Sequence, residues 1–265
     1  FAERAPHYRA IFQFQLAGLA GAFLTADIFN LFVFFEVLLI ASYALLLHAA
    51  GGRALRAGFS YIVVNLVGST LFLVAASLAY GVAGTLNLAD LAVRITVLQG
   101  ADLVLARAAI LLLIVVFAIK AALLPFGFWL PATYSNAPAP VLVLFAIMTK
   151  VGVYAILRMA TTVWGVGEGV GFRDELGTPP LLGAGLLTIG YAGCGALAAS
   201  RLAPLVASLV VMSSGVLVAG LAVAPDRLGG VLYYLVHSTL IAALLFLLVV
   251  AIARQRGDVG DALVG

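Results

Sequence analysis

The sequence contains very little charge for its length. Charged residues make up 9% of the 265 positions, hydrophobic residues make up 65%, and the mean hydropathy is +1.21. A soluble globular domain carries about 25% charged residues. This composition therefore excludes an ordinary soluble domain and predicts a polytopic membrane protein in a lipid bilayer. The net charge of +3 fits a bias of arginine at helix ends and gives no reason to expect nucleic-acid binding.

Cysteine is also scarce, because Cys194 is the single one in the chain. One cysteine excludes a disulfide framework and a cysteine-rich metal site. Its apolar neighbours predict a small residue of the core. Phosphate-binding, nucleotide, zinc and nucleophile motifs are absent as well, so we expect no metal and no cofactor. These absences favour a transporter or a structural subunit over a membrane enzyme.

Long apolar runs fill most of the chain. A spanning helix needs about 20 mostly apolar residues, which predicts an all-α transmembrane bundle of about eight helices. The predicted segments are 8–26, 28–50, 56–82, 103–124, 138–162, 181–199, 203–223 and 228–253. A short surface helix is expected at 87–94. A polar loop at 163–180 separates a first part, 1–162, from a second part, 181–265.

The arginines predict the orientation. An even number of spanning helices places both ends of the chain on one side of the membrane. That side holds seven arginines and the other side five; the first group is Arg4, Arg9, Arg53, Arg56, Arg201, Arg254 and Arg256. Because basic residues concentrate in cytoplasmic loops, both ends are expected to be cytoplasmic.

Three charged residues fall inside the apolar runs: Glu36, Lys120 and Lys150. A charge at the bilayer centre costs about 2.5–3.5 kcal/mol on insertion scales, so such residues need a partner or a function. At about 1.5 Å per residue, all three are predicted to lie in the middle third of the membrane. The two lysines are the only ones in the chain. Lysine can release its proton when it is desolvated, whereas arginine does not.

Two interpretations of these charges stay open. The first is a buried ion pair that locks helices together. The second is a proton relay. The number of charged residues favours the relay, because two lysines and one carboxylate leave one cation uncompensated. Burial disfavours the charged form of both groups, so they can change protonation at modest cost.

A helix break follows Lys120. Pro125 comes five residues later, removes a backbone donor and clashes with the preceding turn. The segment from Phe126 to Tyr134 is predicted to form a second half-helix. Broken helices mark ion sites in transporters, although a proline kink that only shapes packing remains an alternative.

Other polar residues lie within the predicted helices. His237 is either a hydrogen-bonded packing residue or a proton shuttle. Four further residues either join helices by hydrogen bonds or line a secondary polar path: Asn65, Ser69, Ser213 and Ser214. Asp27 precedes a helix and is interpreted as its cap.

Several of these segments resemble one membrane-protein family. The run from Phe23 to Tyr43 is similar to the glutamate-bearing helix of D subunits of Mrp-type multisubunit Na⁺/H⁺ antiporters. The run from Phe117 to Pro131 resembles the broken helix of that family, Thr149–Tyr154 resembles the next helix, and His237–Thr239 resembles a later histidine helix. The wider family of antiporter-like subunits includes the proton-pumping subunits of respiratory complex I.

The resemblance implies an antiporter-like fold of two inverted five-helix repeats. Residues 1–162 would be the first repeat, 163–180 an extracytoplasmic loop, and 181–265 part of the second repeat in a fragment of a longer chain. It implies a bacterial plasma-membrane subunit that exchanges Na⁺ for H⁺ together with other membrane subunits. The alternatives are a proton-pumping subunit of an NADH–quinone oxidoreductase or a related complex, and a structural docking subunit without an ion path.

The expected relay begins with a pair formed by Glu36 and Lys120. Lys120 then passes its proton to Lys150, and the path continues toward His237. Relatives often carry a lysine shortly after this histidine, whereas Ala242 and Ala243 occupy that region here. The absence of a lysine in this region concerns the second half of the proton path.

Overall fold

The computed structural model describes residues 7–47, 52–137, 139–163, 178–224, 227–257 and 260–263. Within these ranges the chain is nearly all helical and forms no β-strand. The helices are α1 Tyr8–Leu24, α2 Ile28–Leu47, α3 Gly52–Ala83, α4 Leu88–Ile95, α5 Gly100–Lys120, α6 Trp129–Ser135, α7 Ala139–Arg158, α8 Thr178–Leu197, α9 Leu202–Val223 and α10 Leu228–Arg256. A π-helical turn, Met159–Val163, continues α7.

The described residues include seven helices that are long and apolar enough to cross a membrane. They are α2, α3, α5, α7, α8, α9 and α10. The first predicted segment forms α1, whose 17 residues are at the lower end of the length of a spanning helix, about 17–25 residues. The predicted transmembrane helical bundle is therefore confirmed. Most of the predicted loop at 163–180 lies outside the described residues, and α8 already begins at Thr178.

The predicted helix starts near Asp27 and Asn87 have clear local causes. The Asp27 carboxylate accepts a hydrogen bond from the Asn30 N–H at 2.9 Å, so the predicted cap is present. Asn87 caps α4 by accepting from the N–H groups of Ala89 and Asp90. A short antiparallel bridge joins Asp27 to Asn87. Capping of this kind satisfies donors that a helix start leaves without intrahelical partners.

The start of α9 is capped by a residue far away in the sequence. Asp261 accepts hydrogen bonds from Arg201 Nε at 2.7 Å and from the Ala203 N–H at 3.1 Å. The Leu202 N–H donates to the Asp261 carbonyl at 2.8 Å. Burial raises the pKa of Asp261, but the bonds from Arg201 and Ala203 outweigh it and leave the pKa below its ordinary value of 3.8. The connection after α10 is thereby fixed to the beginning of α9.

The broken helix differs in its boundaries from the prediction. The first part was expected to extend to residue 124, but α5 ends at Lys120, and the second part begins at Trp129 rather than Phe126. The Leu124–Pro125 peptide bond between them is cis. Ala122 adopts a left-handed conformation with φ of 56°, which terminates α-helical geometry. The α-helical backbone conformation is also disfavoured for Leu124, because it precedes a proline. The helix therefore cannot resume until after Pro125.

The chain forms two compact units. The described residues of the first fall within Phe1–Leu45, Val63–Lys120 and Val151–Pro180; those of the second fall within Leu46–Ile62, Ala121–Lys150 and Leu181–Gly265. Helices α3 and α7 each contribute to both units. The division into repeats at 1–162 and 181–265 stays a prediction.

Helices α8 and α9 pack backbone to backbone within the second unit. A Cβ placed on Gly185 would lie 2.8 Å from the Ala219 nitrogen and 2.9 Å from the Gly215 oxygen. Small residues allow such close approach of membrane helices. Further along α8, Cys194 is exposed, so its predicted core position is wrong. The outer surface of a membrane protein faces hydrocarbon, and an apolar neighbourhood therefore does not imply burial.

We expect Gly185→Ala to destabilise the protein by about 1–3 kcal/mol, because the added methyl group overpacks a backbone contact. The measurement is the thermal unfolding midpoint of the purified protein in detergent. Gly183→Ala is the matched control on the same helix, since a Cβ there meets nothing within 4 Å. Equal midpoints for the two variants would contradict close packing of α8 on α9.

We expect Asp261→Asn to lower stability at pH 7 by about 1 kcal/mol, because the cap loses its charge-assisted bond to Arg201. The pKa of Asp261 is lowered in the folded state, so its contribution is present above the ordinary pKa and is lost as the pH falls through the folded value. The difference in unfolding midpoint between wild type and variant should therefore narrow below about pH 4. Asp90→Asn is the control, because its exposed pair with Arg94 should contribute little. A difference between wild type and Asp261→Asn that does not change with pH would be inconsistent with an ionised cap.

Candidate functional site

A carboxylate, a hydroxyl and an ammonium form a chain of hydrogen bonds in the first unit. Lys120 Nζ donates to Ser69 Oγ at 3.0 Å. The Ser69 hydroxyl in turn donates to Glu36 Oε1. Helix α2 provides Glu36, α3 provides Ser69, and Lys120 is the last residue of α5. The structure therefore brings together the first two charges of the predicted relay, with Ser69 between them.

Glu36 and Lys120, which are predicted to pair, are joined through Ser69 rather than by a direct contact of the two side chains. No salt bridge joins these two side chains in the part of the chain that the structure describes, and the ammonium reaches the carboxylate through the serine. Ser69 is four residues after Asn65 on α3, and the Asn65 backbone carbonyl also accepts from Lys120 Nζ at 3.5 Å. Both members of the predicted polar path on α3 therefore contact the lysine, Asn65 through its main chain.

Several groups around Lys120 partly offset the cost of burying its ammonium. The residue is 4% exposed. Its Nζ lies 5.6 Å from the ring centroid of Phe35, within the range of a cation–π interaction. Phe72 and Phe117 pack against Phe35 with ring centroids 6.2 and 6.3 Å away. The position of Lys120 at the C-terminus of α5 adds the negative end of the helix dipole.

Glu36 is less enclosed than its partner. It is half-buried, whereas Ser69 and Lys120 are buried. Part of Glu36 is exposed at the surface of the described chain, where a group from outside could contact it. The hydrogen-bonded chain is thus enclosed at Lys120 and partly exposed at Glu36.

The second lysine is held by neutral groups alone among the described residues. Lys150 is fully buried, and its Nζ donates to Ser213 Oγ at 2.5 Å, to Ser214 Oγ at 3.3 Å and to the Val210 carbonyl at 3.4 Å. All three acceptors are on α9. A hydroxyl can accept a hydrogen bond from an ammonium or donate one to a neutral amine. This arrangement can therefore hold lysine in either protonation state.

A cavity connects Ser213 with His237. It has a volume of about 340 Å³ and lies between α9 and α10, where its lining includes Ser213, Tyr234, His237 and Ser238. His237 is exposed and stacks on Tyr233 at a centroid distance of 5.8 Å. Lys150, both predicted serines of α9 and the predicted histidine thus belong to the second unit.

The backbone of the break is satisfied by specific partners. The Leu124 N–H donates to Thr188 Oγ1 at 2.8 Å, and the Phe126 N–H donates to the Leu123 carbonyl at 2.7 Å. A Cβ on Gly127 would lie 2.2 Å from the Ala122 oxygen, so the tight return of the chain requires glycine there. Pro125, the predicted break residue, lies at the centre of this segment.

The sequence-based reasoning missed three polar features. The first is Thr188, although it is the one threonine in the middle of an otherwise apolar helix. Tyr154 and Arg158 on α7 bind the carbonyls of Phe23 and Thr25 at 2.9 and 3.2 Å, which fixes the connection between α1 and α2. Gln15 is fully buried, and neither of its side-chain amide atoms has a partner among the described residues.

Across the described ranges, no group of three His, Cys, Asp or Glu side chains could hold a metal ion.

Comparisons with known proteins show the family of the chain. A family model described as "NADH:quinone oxidoreductase/Mrp antiporter, TM" matches residues 25–262. A protein of Rhizobium meliloti (strain 1021), named as the D subunit of a probable K⁺/H⁺ antiporter, is 45% identical over 260 residues, which are 97% of this chain and 48% of the relative. The Na⁺/H⁺ antiporter D subunit of Bacillus subtilis (strain 168) is 40% identical over 248 residues, covering 93% of this chain and 48% of the relative.

A solved structure shows the same fold. One chain in the structure of the Mrp complex from Dietzia sp. DQ12-45-1b is similar with a TM-score of 0.78 and 30% identity, covering 89% of this chain and 43% of that one. This chain spans about half the length of the curated relatives it matches. The family match covers far more than half of the present chain and confirms the resemblance seen in the glutamate, lysine and histidine helices. The chain therefore belongs to the NADH:quinone oxidoreductase/Mrp antiporter transmembrane family.

Proposed function

We propose that this chain is a proton-conducting membrane portion of a multisubunit monovalent cation/proton antiporter. The observation that carries the proposal is the buried chain from Lys120 through Ser69 to Glu36. The names of the relatives, which are antiporter D subunits, support the same conclusion. The protein then acts as a transporter subunit rather than as an enzyme.

Ser69 couples the protonation of Lys120 to Glu36. When Lys120 is an ammonium, the serine oxygen accepts from it and the serine hydrogen bonds to Glu36. When Lys120 loses a proton, the amine offers a lone pair that can accept the serine hydrogen, and Glu36 then loses its bond. The carboxylate becomes free to attract another cation at its open side. Proton release from Lys120 is thereby linked to a change at Glu36.

The onward path uses Lys150, Ser213 and His237. Neutral acceptors hold Lys150, so it can take a proton and release it without separating from a carboxylate. The cavity of about 340 Å³ beside Ser213 has room for several water molecules, each of which occupies about 30 Å³ in the liquid. Water in this space would carry the proton from Ser213 to His237. Transfer from Lys120 to Lys150 is part of the proposal.

The exchanged cation is proposed to be Na⁺, although the relatives are named for K⁺ and for Na⁺. The other components of the complex are proposed to be further membrane subunits. The proposed location is a bacterial plasma membrane, and the arginine distribution supports cytoplasmic positions for both ends of this chain.

The family description also names NADH:quinone oxidoreductase, and this favours a second candidate, a proton-pumping subunit of a respiratory complex. Both candidates use the same relay. Purification of the intact complex distinguishes them, because quinone-binding or iron–sulfur partners would indicate the respiratory complex. A subunit that only docks others would retain transport after apolar replacement of both lysines.

We expect Lys150→Met and Lys150→Arg both to abolish cation-driven proton exchange in the complete complex. Methionine cannot carry a proton, and arginine carries a charge but does not release it. The measurement is the collapse of a pH gradient in inverted membrane vesicles after NaCl or KCl is added, with assembly of the complex checked by native gel electrophoresis. Normal exchange in an assembled Lys150→Arg complex would mean that only the positive charge is needed and would refute the relay.

We expect Ser69→Ala to lower the exchange rate about tenfold or more, because hydrogen bonds to charged groups contribute about 1.5–3 kcal/mol. Thr70→Ala is the matched control on the same helix, since the Thr70 hydroxyl is exposed and bonds only to the Leu66 carbonyl of its own turn. The same vesicle measurement applies. Equal rates for the two variants would show that the serine does not couple Lys120 to Glu36.

A further inference from the structure

The interruption between α5 and α6 needs partners for its free backbone groups. In a membrane interior, non-helical backbone is tolerated only where its polar groups are satisfied by protein or water. Pro125 has no N–H, and the Phe126 N–H finds the Leu123 carbonyl within the segment. The Leu124 N–H instead reaches Thr188 Oγ1 on α8. The shape of the interruption therefore depends on a side chain from another helix.

Thr188 is suited to accept this bond. It is fully buried, and its hydroxyl donates to the Ala184 carbonyl of its own helix at 2.6 Å. That bond directs the hydroxyl hydrogen away from Leu124 and leaves a lone pair for the Leu124 N–H. A valine in the same place would fill the same space but could accept nothing. The hydroxyl, rather than the volume of the side chain, is what the break requires.

The rest of the segment has little freedom to compensate. Ala122 already has a left-handed backbone, and Gly127 approaches the Ala122 carbonyl so closely that it leaves no space for a side chain. Leu124 is four residues after Lys120, the residue at which α5 ends. A shift of Leu124 would therefore be transmitted along the chain to the last turn of α5.

We propose that Thr188 is a positioning residue that fixes the interrupted helix and so sets the place of Lys120. Thr188 does not itself carry a proton in this scheme. It fixes the backbone of Leu124, which follows the end of α5 and is joined to Lys120 through three residues. The consequence for transport rests on the proposed function, whereas the hydrogen bond to Leu124 does not.

The test is amide hydrogen exchange of the peptide covering residues 121–128, measured by mass spectrometry on the full-length protein in nanodiscs. Thr188→Val should speed exchange at Leu124 about tenfold, since removal of a buried acceptor leaves its donor unpaired. Thr188→Ser keeps the hydroxyl and should restore slow exchange. Thr70→Val is the control, because that threonine bonds only within its own helix.

Transport by the complete complex supplies the second readout. We expect Thr188→Val to lower the exchange rate of cation for proton and to shift its pH profile, and Thr188→Ser to return both toward wild type. Unchanged amide exchange in Thr188→Val would overturn the inference, whatever transport does. Faster amide exchange with unaltered transport would overturn the positioning role. If Thr188→Val does not assemble, Thr188→Ser provides the test. The inference would be overturned if residues 121–128 of Thr188→Ser exchanged their amide hydrogens as fast as the denatured segment does. The amide-exchange outcomes do not depend on Lys150, and loss of the relay is tested separately by Lys150→Arg, so failure of the relay and failure of the inference are distinguishable.

Discussion

The buried ammonium groups of Lys120 and Lys150 place the strongest constraint on this structure. An ion removed from water loses solvation worth several kcal/mol, even after the protein has relaxed around it. Each ammonium must therefore find oxygen acceptors at a depth where apolar side chains dominate. Helix α3 supplies them for Lys120 through Ser69 and the Asn65 carbonyl, and α9 supplies them for Lys150 through Ser213, Ser214 and the Val210 carbonyl. The positions of the serines are consequences of the positions of the lysines.

The buried ammonium groups of Lys120 and Lys150 are stabilised by different electrostatic interactions. Lys120 has a carboxylate one hydroxyl away, an aromatic face at 5.6 Å and the negative end of a helix dipole. Lys150 has only dipoles from hydroxyl and carbonyl groups in the described part of the chain. A proton is therefore stabilised differently at the two sites, and any change at Glu36 alters one site without touching the acceptors of the other. A directional relay needs such an asymmetry, whereas a symmetric pair of ion locks does not.

Much of the fold could be predicted from the sequence, because hydropathy and length determine where a chain can cross a membrane. The helices around Glu36, Ser69 and Lys150 were placed within a few residues of their observed bounds. The end of α5 was placed too late, at residue 124 instead of Lys120, since the left-handed conformation of Ala122 leaves no signal in an apolar run. The predicted pairing of Glu36 with Lys120 said nothing of Ser69, because charge counting ignores a hydroxyl that can stand between two ions. The predicted burial of Cys194 was wrong for a related reason, since apolar side chains can be exposed to lipid, whereas exposure to water would be unfavourable.

Thr188 shows why the remaining features were beyond sequence reasoning. A single threonine in an apolar helix ordinarily bonds to the carbonyl four residues earlier, and Thr188 does so. Its second bond, to Leu124, depends on a tertiary contact that no spacing rule encodes. The interrupted backbone nevertheless requires such an acceptor, because each interrupted turn in a membrane exposes donors that water cannot reach. A search for buried hydroxyls near every proline-broken helix would therefore find residues of this type, which are invisible to a search for charges. In this chain a search for charges finds Lys120 and Lys150, whereas the acceptor that the interrupted backbone needs is the neutral hydroxyl of Thr188.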